Sequence, residues 1–130
     1  MAVIGSYGRV VFEVSDTRVL TLGGISQTVA ARWQEHTVIN TKPRSEFLSA
    51  DLRGMTFSIT LDAALGVRPR DMLRQLESMV EGGEVNYLII GGRPVGGLWK
   101  ILTMSEAWDV VYSHGELAKA TAKITLKEYF

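Results

Sequence analysis

Cysteine is absent from this sequence, which excludes disulfides, thiolate nucleophiles and cysteine-ligated metal sites. Histidine is scarce: His36 and His114 are the only two, far apart in the chain and without metal-site spacing. Both read as surface or turn residues. Neither charge is in excess, since 14 Lys+Arg stand against 14 Asp+Glu. A neutral chain has no global attraction to nucleic acid or to acidic membranes, which leaves only a local patch of one sign open. No uncharged run approaches the ~20 residues that a helix needs to cross a bilayer. The opening MAVIGSYGRVVFEV has no basic n-region and meets its first charge at Arg9, unlike a secretory signal. The expectation is a protein made in a cytoplasm, with no membrane partner.

Catalytic patterns are also missing. A nucleophile and base would need a serine or threonine brought to one of the two histidines, and no G-x-S-x-G occurs. Glu46, Asp51 and Asp62 supply carboxylates, but no pairing follows from their positions. Asp62 follows a strand-like run and suits a cap on whatever comes next. Neither an enzyme nor a cofactor is expected.

What is present suits one domain spanning residues 1–130. A chain this long buries roughly two-thirds of its unfolded surface without staples. GRVVFEVS at 8–15 reads as a strand, Asp16–Thr17 as a turn, and RVLTL as a strand that Gly23–Gly24 stop. Within QTVAARWQEHTVI, Val29, Ala31 and Trp33 alternate with Ala30, Arg32, Gln34 and His36 as in a strand. TKPRSEF reads as a loop, because Pro43 has no N–H for a ladder.

MTFSITLD at 55–62 alternates most cleanly, with Met55, Phe57, Ile59 and Leu61 on one face. The period then changes. Pro69 opens a helix in which Met72, Leu73, Leu76, Met79 and Val80 share a face, and Gly82–Gly83 end it. LWKILTMSEAWDVVY and LAKATAKITLKEY form a long hairpin turning near His114–Gly115, with Ala118, Ala120, Ala122, Ile124 and Leu126 alternating against lysines and threonines. The fold class is α+β: a mostly antiparallel β-sandwich or small barrel with one main flanking helix.

YLIIGGRPVGG at 87–97 runs apolar residues into four glycines, as phosphate-binding loops do. Such loops feed a helix whose amides face the anion, and the P-loop form adds Lys then Ser or Thr. Here Leu98-Trp99-Lys100-Ile101 follows, which reads as strand, and no GK[ST] occurs. Gly91, Gly92, Arg93, Pro94, Val95, Gly96 and Gly97 therefore read as a shaped connector between strands, not a phosphate site. Lys119, Lys123 and Lys127 read as a solvated face protecting a sheet edge, rather than a rim for nucleic acid.

The run 98–112 is apolar on both sides. Leu98, Leu102, Met104, Trp108, Val110 and Tyr112 fall on one face, and Trp99, Ile101, Ala107 and Val111 on the other. A strand apolar on both faces is covered on both. In so small a domain the second cover is either the domain's own core or another copy of the chain. Leu98, Trp108, Val110 and Tyr112, with the connector 91–97, are the candidate subunit contact.

AVIGSYGRVVFEV, SITLDAALGVRPRDMLRQLESM, YLIIGGRPVGGLWKI and the ending KITLKEYF resemble, in this order and across essentially the whole chain, the GpU family of phage tail proteins. LDAALGVRP and LIIGGRPVGG carry the resemblance most specifically. It implies a tail-tube-like domain and a structural part of a contractile tail, in a phage virion or a tail-like bacteriocin. The implied partners are copies of itself in a sixfold ring, the tail tube, the hub and spike, a LysM-type tail protein and the tape-measure protein. One implied role is the ring that joins tube to hub, called a ripcord in bacteriocins. Another is a terminator that caps the tube. No catalytic residue is implied. A small ligand-binding module or enzyme is the rival class.

Overall fold

The computed structural model describes residues 2–14, 19–20, 22–111 and 115–130. The turn read at Asp16–Thr17, and Tyr112 and His114, lie outside these. Ten strands follow in chain order: β1 (Ala2–Tyr7), β2 (Val10–Val14), β3 (Val19–Leu20), β4 (Leu22–Thr28), β5 (Ala31–His36), β6 (Arg44–Ala50), β7 (Gly54–Asp62), then β8 (Val85–Ile90), β9 (Arg93–Val111) and β10 (Leu117–Tyr129). One helix, α1 (Pro69–Glu81), lies between β7 and β8.

Eight strands make one antiparallel sheet in the order β3-β2-β1-β8-β9-β10-β7-β4. Four strands separate β2 from β7 in that order. Yet Phe12 of β2 meets Phe57 of β7 edge to face, with ring centroids 6.1 Å apart. The sheet therefore curls over on itself, and its concave face encloses the core in the manner of a sandwich. It does not close into a barrel: β3 and β4 are its two open ends.

The alternation in β7 explains the core. Met55, Phe57, Ile59 and Leu61 are buried, as are Ala120, Ala122, Ile124 and Leu126 beside them on β10. The helix covers the same face. Leu73, Leu76 and Met79 are buried from it, while Met72 is half-buried. Small Ala120 and Ala122 leave room for α1 to lie on β10. Pro69 begins the helix, where a missing N–H costs nothing. Gly82 and Gly83 end it, their amides returning to Ser78 and Val80 carbonyls. Asp62 accepts the Ala64 amide at 2.9 Å and caps a short 3-10 turn between β7 and α1.

Several sequence expectations change. The chain does not stop at Gly23–Gly24; β4 runs through them, because its partner β7 supplies a ladder that glycine can join. TKPRSEF is not wholly loop, since β6 begins at Arg44, directly after Pro43. β10 is not an edge: it lies between β9 and β7, so its lysines decorate an interior strand's outer face. The segment before Gly8 is itself a strand. In it Gly5 is needed for close approach to β8, as a Cβ there would lie 2.1 Å from the Ile89 carbonyl oxygen.

Candidate subunit interface

The GGRPVGG stretch is shorter as a connector than its glycines suggest. Only Gly91 and Gly92 form the turn between β8 and β9, at φ +64° and +77°. Both values lie in the left-handed region required of a two-residue hairpin turn of this kind. Pairing resumes at once, Ile90 with Arg93 and Ile89 with Pro94. Val95 and Trp99 then anchor the strand. The Trp99 indole is fully buried and its Nε1–H donates to the Val95 carbonyl at 2.6 Å. The Trp99 carbonyl accepts the Tyr7 hydroxyl at 2.8 Å, tying β9 to β1. Burial pushes the Tyr7 phenol up to about 12, since desolvation penalises the phenolate.

Two irregularities decide which side chains of β9 share a face. Thr103 pairs with Thr125 and Ile101 with Leu126, so Leu102 is an extra residue on β9. Trp108 pairs with Ala120 and Val110 with Lys119, so Asp109 is another. Each bulge inverts the alternation. Trp99 and Ile101 therefore pack on the same core as Met104, not on the opposite face from it. The two-sided apolar pattern thus arises in part from the bulges. One sheet face is served by odd positions before Leu102, by even positions from Met104 to Trp108, and by Val111 after the second bulge, so Trp108 and Val110 lie on opposite faces.

The second cover is still missing at the far end of β9. Trp108, Val110 and Val111 are each between two-fifths and one-half exposed, with Trp108 at 47%, as is Leu102 at the mid-strand bulge. Trp108 lies beside the helix. The Arg70 guanidinium carbon is 5.5 Å from its ring centroid, and its Nε1–H donates to Glu106 at 3.2 Å. Such a cation–π contact contributes ~0.5–1 kcal/mol at an exposed site. Leu73, Arg74 and Glu77 line the shallow hollow around them.

The candidate residues fall into two groups. Gly91, Gly92, Arg93, Pro94, Gly96 and Gly97 are exposed at the start of β9, with Val95 and Leu98 half-buried. Leu98 lies between Tyr87 and Tyr129 on the neighbouring strands, both about half exposed. Trp108 and Val110 are ten or more residues further on, about 30 Å away at ~3.3 Å per strand residue. The structure places these groups at opposite ends of the sheet and does not join them in one patch.

His36 and several of the carboxylates form surface pairs. His36 Nε2 lies 2.6 Å from Glu46 Oε2, Arg32 lies 3.6 Å from Asp51, and Arg9 lies 2.9 Å from Glu84, all exposed. Such pairs contribute ~0–1 kcal/mol each. Among the described residues no group of three His, Cys, Asp or Glu side chains is placed to hold a metal. No helix among them is long and apolar enough to cross a membrane.

Sequence reading missed the feature with the most exposed apolar surface outside the sheet. β5 and β6 form a separate two-stranded ribbon, and every residue in both strands is exposed. Trp33 packs edge-on against Phe47 at 5.3 Å, and both remain more than half exposed. Trp33 within an alternating run was the available signal.

The family model of Phage P2 GpU matches residues 8–130. The chain belongs to that family of phage tail proteins, and its role is a structural one in a phage tail. No curated protein matches it. Among solved structures that match is a chain from the tail of an empty GTA particle, computed with helical refinement and C6 symmetry. It is 17% identical over 98% of this chain and 90% of that chain, with a TM-score of 0.45.

Proposed function

We propose that the protein forms a closed, sixfold ring that joins the tail tube to the hub and spike at the base of a contractile tail or tail-like bacteriocin. The observation that carries the ring is the uncovered end of β9. Trp108, Val110 and Val111 leave apolar side chains open on both faces of that strand end, Trp108 on the face of Ala120 and Val110 on that of Lys119. Exposed apolar surface marks an interaction site where it gathers. A ring uses a head-to-tail contact, in which a patch on one subunit meets a different patch on the next. The two groups at opposite ends of β9 supply different patches on opposite flanks. The turn at Gly91–Gly92 and the strand start to Leu98 form the second flank. A monomer in dilute solution fits this reading, because ordering an interface costs free energy that adjoining tube or hub contacts offset.

Replacing Trp108 or Val110 with Asp tests the contact. Circular dichroism first confirms that the variant folds. The expected result is loss of infective or bactericidal tails. A folded variant that assembles normal tails would remove the β9 end from the interface. Labelled chains imaged in assembled particles give the position: label at the base supports the junction, and label at the opposite end gives the terminator role.

A further inference from the structure

β10 is an interior strand, so its lysines do not protect an open edge. The register gives the make-up of the outer face on which they lie, row by row across β7, β10 and β9. Thr60, Thr121 and Ala107 lie side by side, then Ser58, Lys123 and Ser105, then Thr56, Thr125 and Thr103, then Gly54, Lys127 and Lys100. Ser26 of β4 extends the third row. These positions alternate with Phe57, Ile59, Ala122 and Ile124 of the core. Hydroxyl side chains fill most places around the lysines, and the four rows hold no aromatic or large aliphatic side chain. The next row, Tyr87, Leu98 and Tyr129, is apolar and bounds the patch.

The charges on this face balance at one end only. There Lys119 has Asp62 opposite it, and Asp109 accepts the Thr121 hydroxyl at 2.9 Å. At the other end Lys100 and Lys127 stand directly opposite each other, both half-buried. Like charges so placed repel, and part burial weakens their screening by salt. No nearby acid offsets them. Glu84 precedes Val85, the β8 partner of Lys100, but lies 2.9 Å from Arg9. Glu128 pairs with Trp99 on the core side, and its carboxylate accepts the Arg53 amide at 3.2 Å. Glu106 pairs with Ala122, also on the core side. Lys100, Lys123 and Lys127 form no ion pair among the described residues.

We infer that this face binds the phosphate backbone of a duplex nucleic acid without reading its sequence. The inference is independent of the ring reading. An anion from outside the chain offsets the repulsion that no acid within it offsets. Two observations select phosphate over an acidic protein surface. Lysine and serine are depleted from protein–protein interfaces, which are anchored by aromatic and apolar side chains, and the four rows have no such anchor. Phosphate oxygens are bound by lysine together with serine and threonine hydroxyls, the side chains that these rows supply. The rows hold no Arg, Asn or Gln, which read base edges, so binding is indifferent to sequence. The extent also fits. Lys123 and Lys127 are four strand residues apart, about 13 Å at ~3.3 Å each. A duplex carries one charge per ~1.7 Å of its axis, so one duplex offers each of the three lysines a phosphate.

Fluorescence anisotropy of a labelled mixed-sequence DNA duplex, titrated with the purified chain, tests this. Binding at low salt should weaken with added salt along a log–log slope of about −2.7, ~0.9 for each of three lysines. Combining Lys100→Gln, Lys123→Gln and Lys127→Gln should lower the affinity about tenfold or more and flatten the slope. The thermal midpoint of that variant should be no lower than that of the unaltered chain, because the opposed pair is gone. Arg32→Gln, Lys42→Gln and Arg44→Gln together make an equal change of charge in and beside the β5–β6 ribbon, and should leave the affinity unchanged. Equal losses from the two triple variants would show that binding follows net charge, and would overturn the assignment. So would the absence of saturable binding at low salt. Displacement of the duplex by polyglutamate as readily as by unlabelled duplex would also overturn it, and would make the partner an acidic protein surface.

Discussion

Trp99→Ala is the substitution that most directly tests how β9 is held. The indole is fully buried within the core and donates to the Val95 carbonyl across the first turn of the strand. Truncation removes the ring, leaves a cavity in the core cluster, and frees the Val95 carbonyl. Large aromatic truncations cost ~3–5 kcal/mol. Trp99→Phe retains part of the ring but loses the donor, and the lost hydrogen bond contributes about 1 kcal/mol. For a domain of this size each kcal/mol lowers Tm by ~3–6 °C, so the alanine variant should melt roughly 10–25 °C lower. Urea titration followed by circular dichroism gives the free energies, with m held constant as the control. Fluorescence adds a local readout. Trp33 and Trp108 are half exposed, and Trp99 alone is buried, so the blue-shifted part of native emission should vanish with it. An alanine variant that loses less than ~1 kcal/mol at constant m would refute the anchoring role.

Two further substitutions probe the same core. Leu76→Ala, at a helix position that is 1% exposed, should cost about 2–5 kcal/mol by the same denaturation assay. A change below about half a kcal/mol would show that α1 does not pack as described. Tyr7 gives a pH dependence whose sign follows from its raised value. The folded phenol titrates near 12 against an ordinary value of 10.0. Its contribution is complete below pH 10 and is lost as pH rises towards 12, about 3 kcal/mol for a two-unit shift. Tyr7→Phe should flatten that part of the alkaline stability curve, and an unchanged slope would sink the assignment.

The parts legible in the sequence are those whose burial is one-sided and uninterrupted. β7 reads as a strand because Met55, Phe57, Ile59 and Leu61 all face one core and no bulge intervenes. α1 reads as a helix because Leu73, Leu76 and Met79 keep the 3.6-residue period between Pro69 and the glycine pair. β9 misled because Leu102 and Asp109 are inserted into its ladder, and no local property of those residues announces a bulge. β4 was cut short because glycine punctuates sequence patterns, whereas the partner strand decides whether the chain continues. The ribbon was half seen, as one strand and a loop. A wholly exposed hairpin has no buried face to impose a period, and Pro43 falls just before β6 rather than inside it. For the candidate interface, the apolar character of Trp108 and Val110 was visible, but their separation from Gly91–Leu98 follows only from the strand's length.

The place of β10 has a consequence in time. It is the last strand in chain order, yet it sits between β9 and β7 in the sheet. During synthesis β7 emerges early and finds β4, while its other side waits for residues 117–129. Until then Met55, Phe57, Ile59 and Leu61 have no partner strand on that side, and α1 lacks the alanine surface on which it lies. Non-local pairing of this kind folds slowly and leaves apolar strand surface exposed to other nascent chains meanwhile. A ribosome stalled before Leu117 would therefore carry a protease-sensitive chain, and release of the remaining strand would convert it to a resistant one in a single late step.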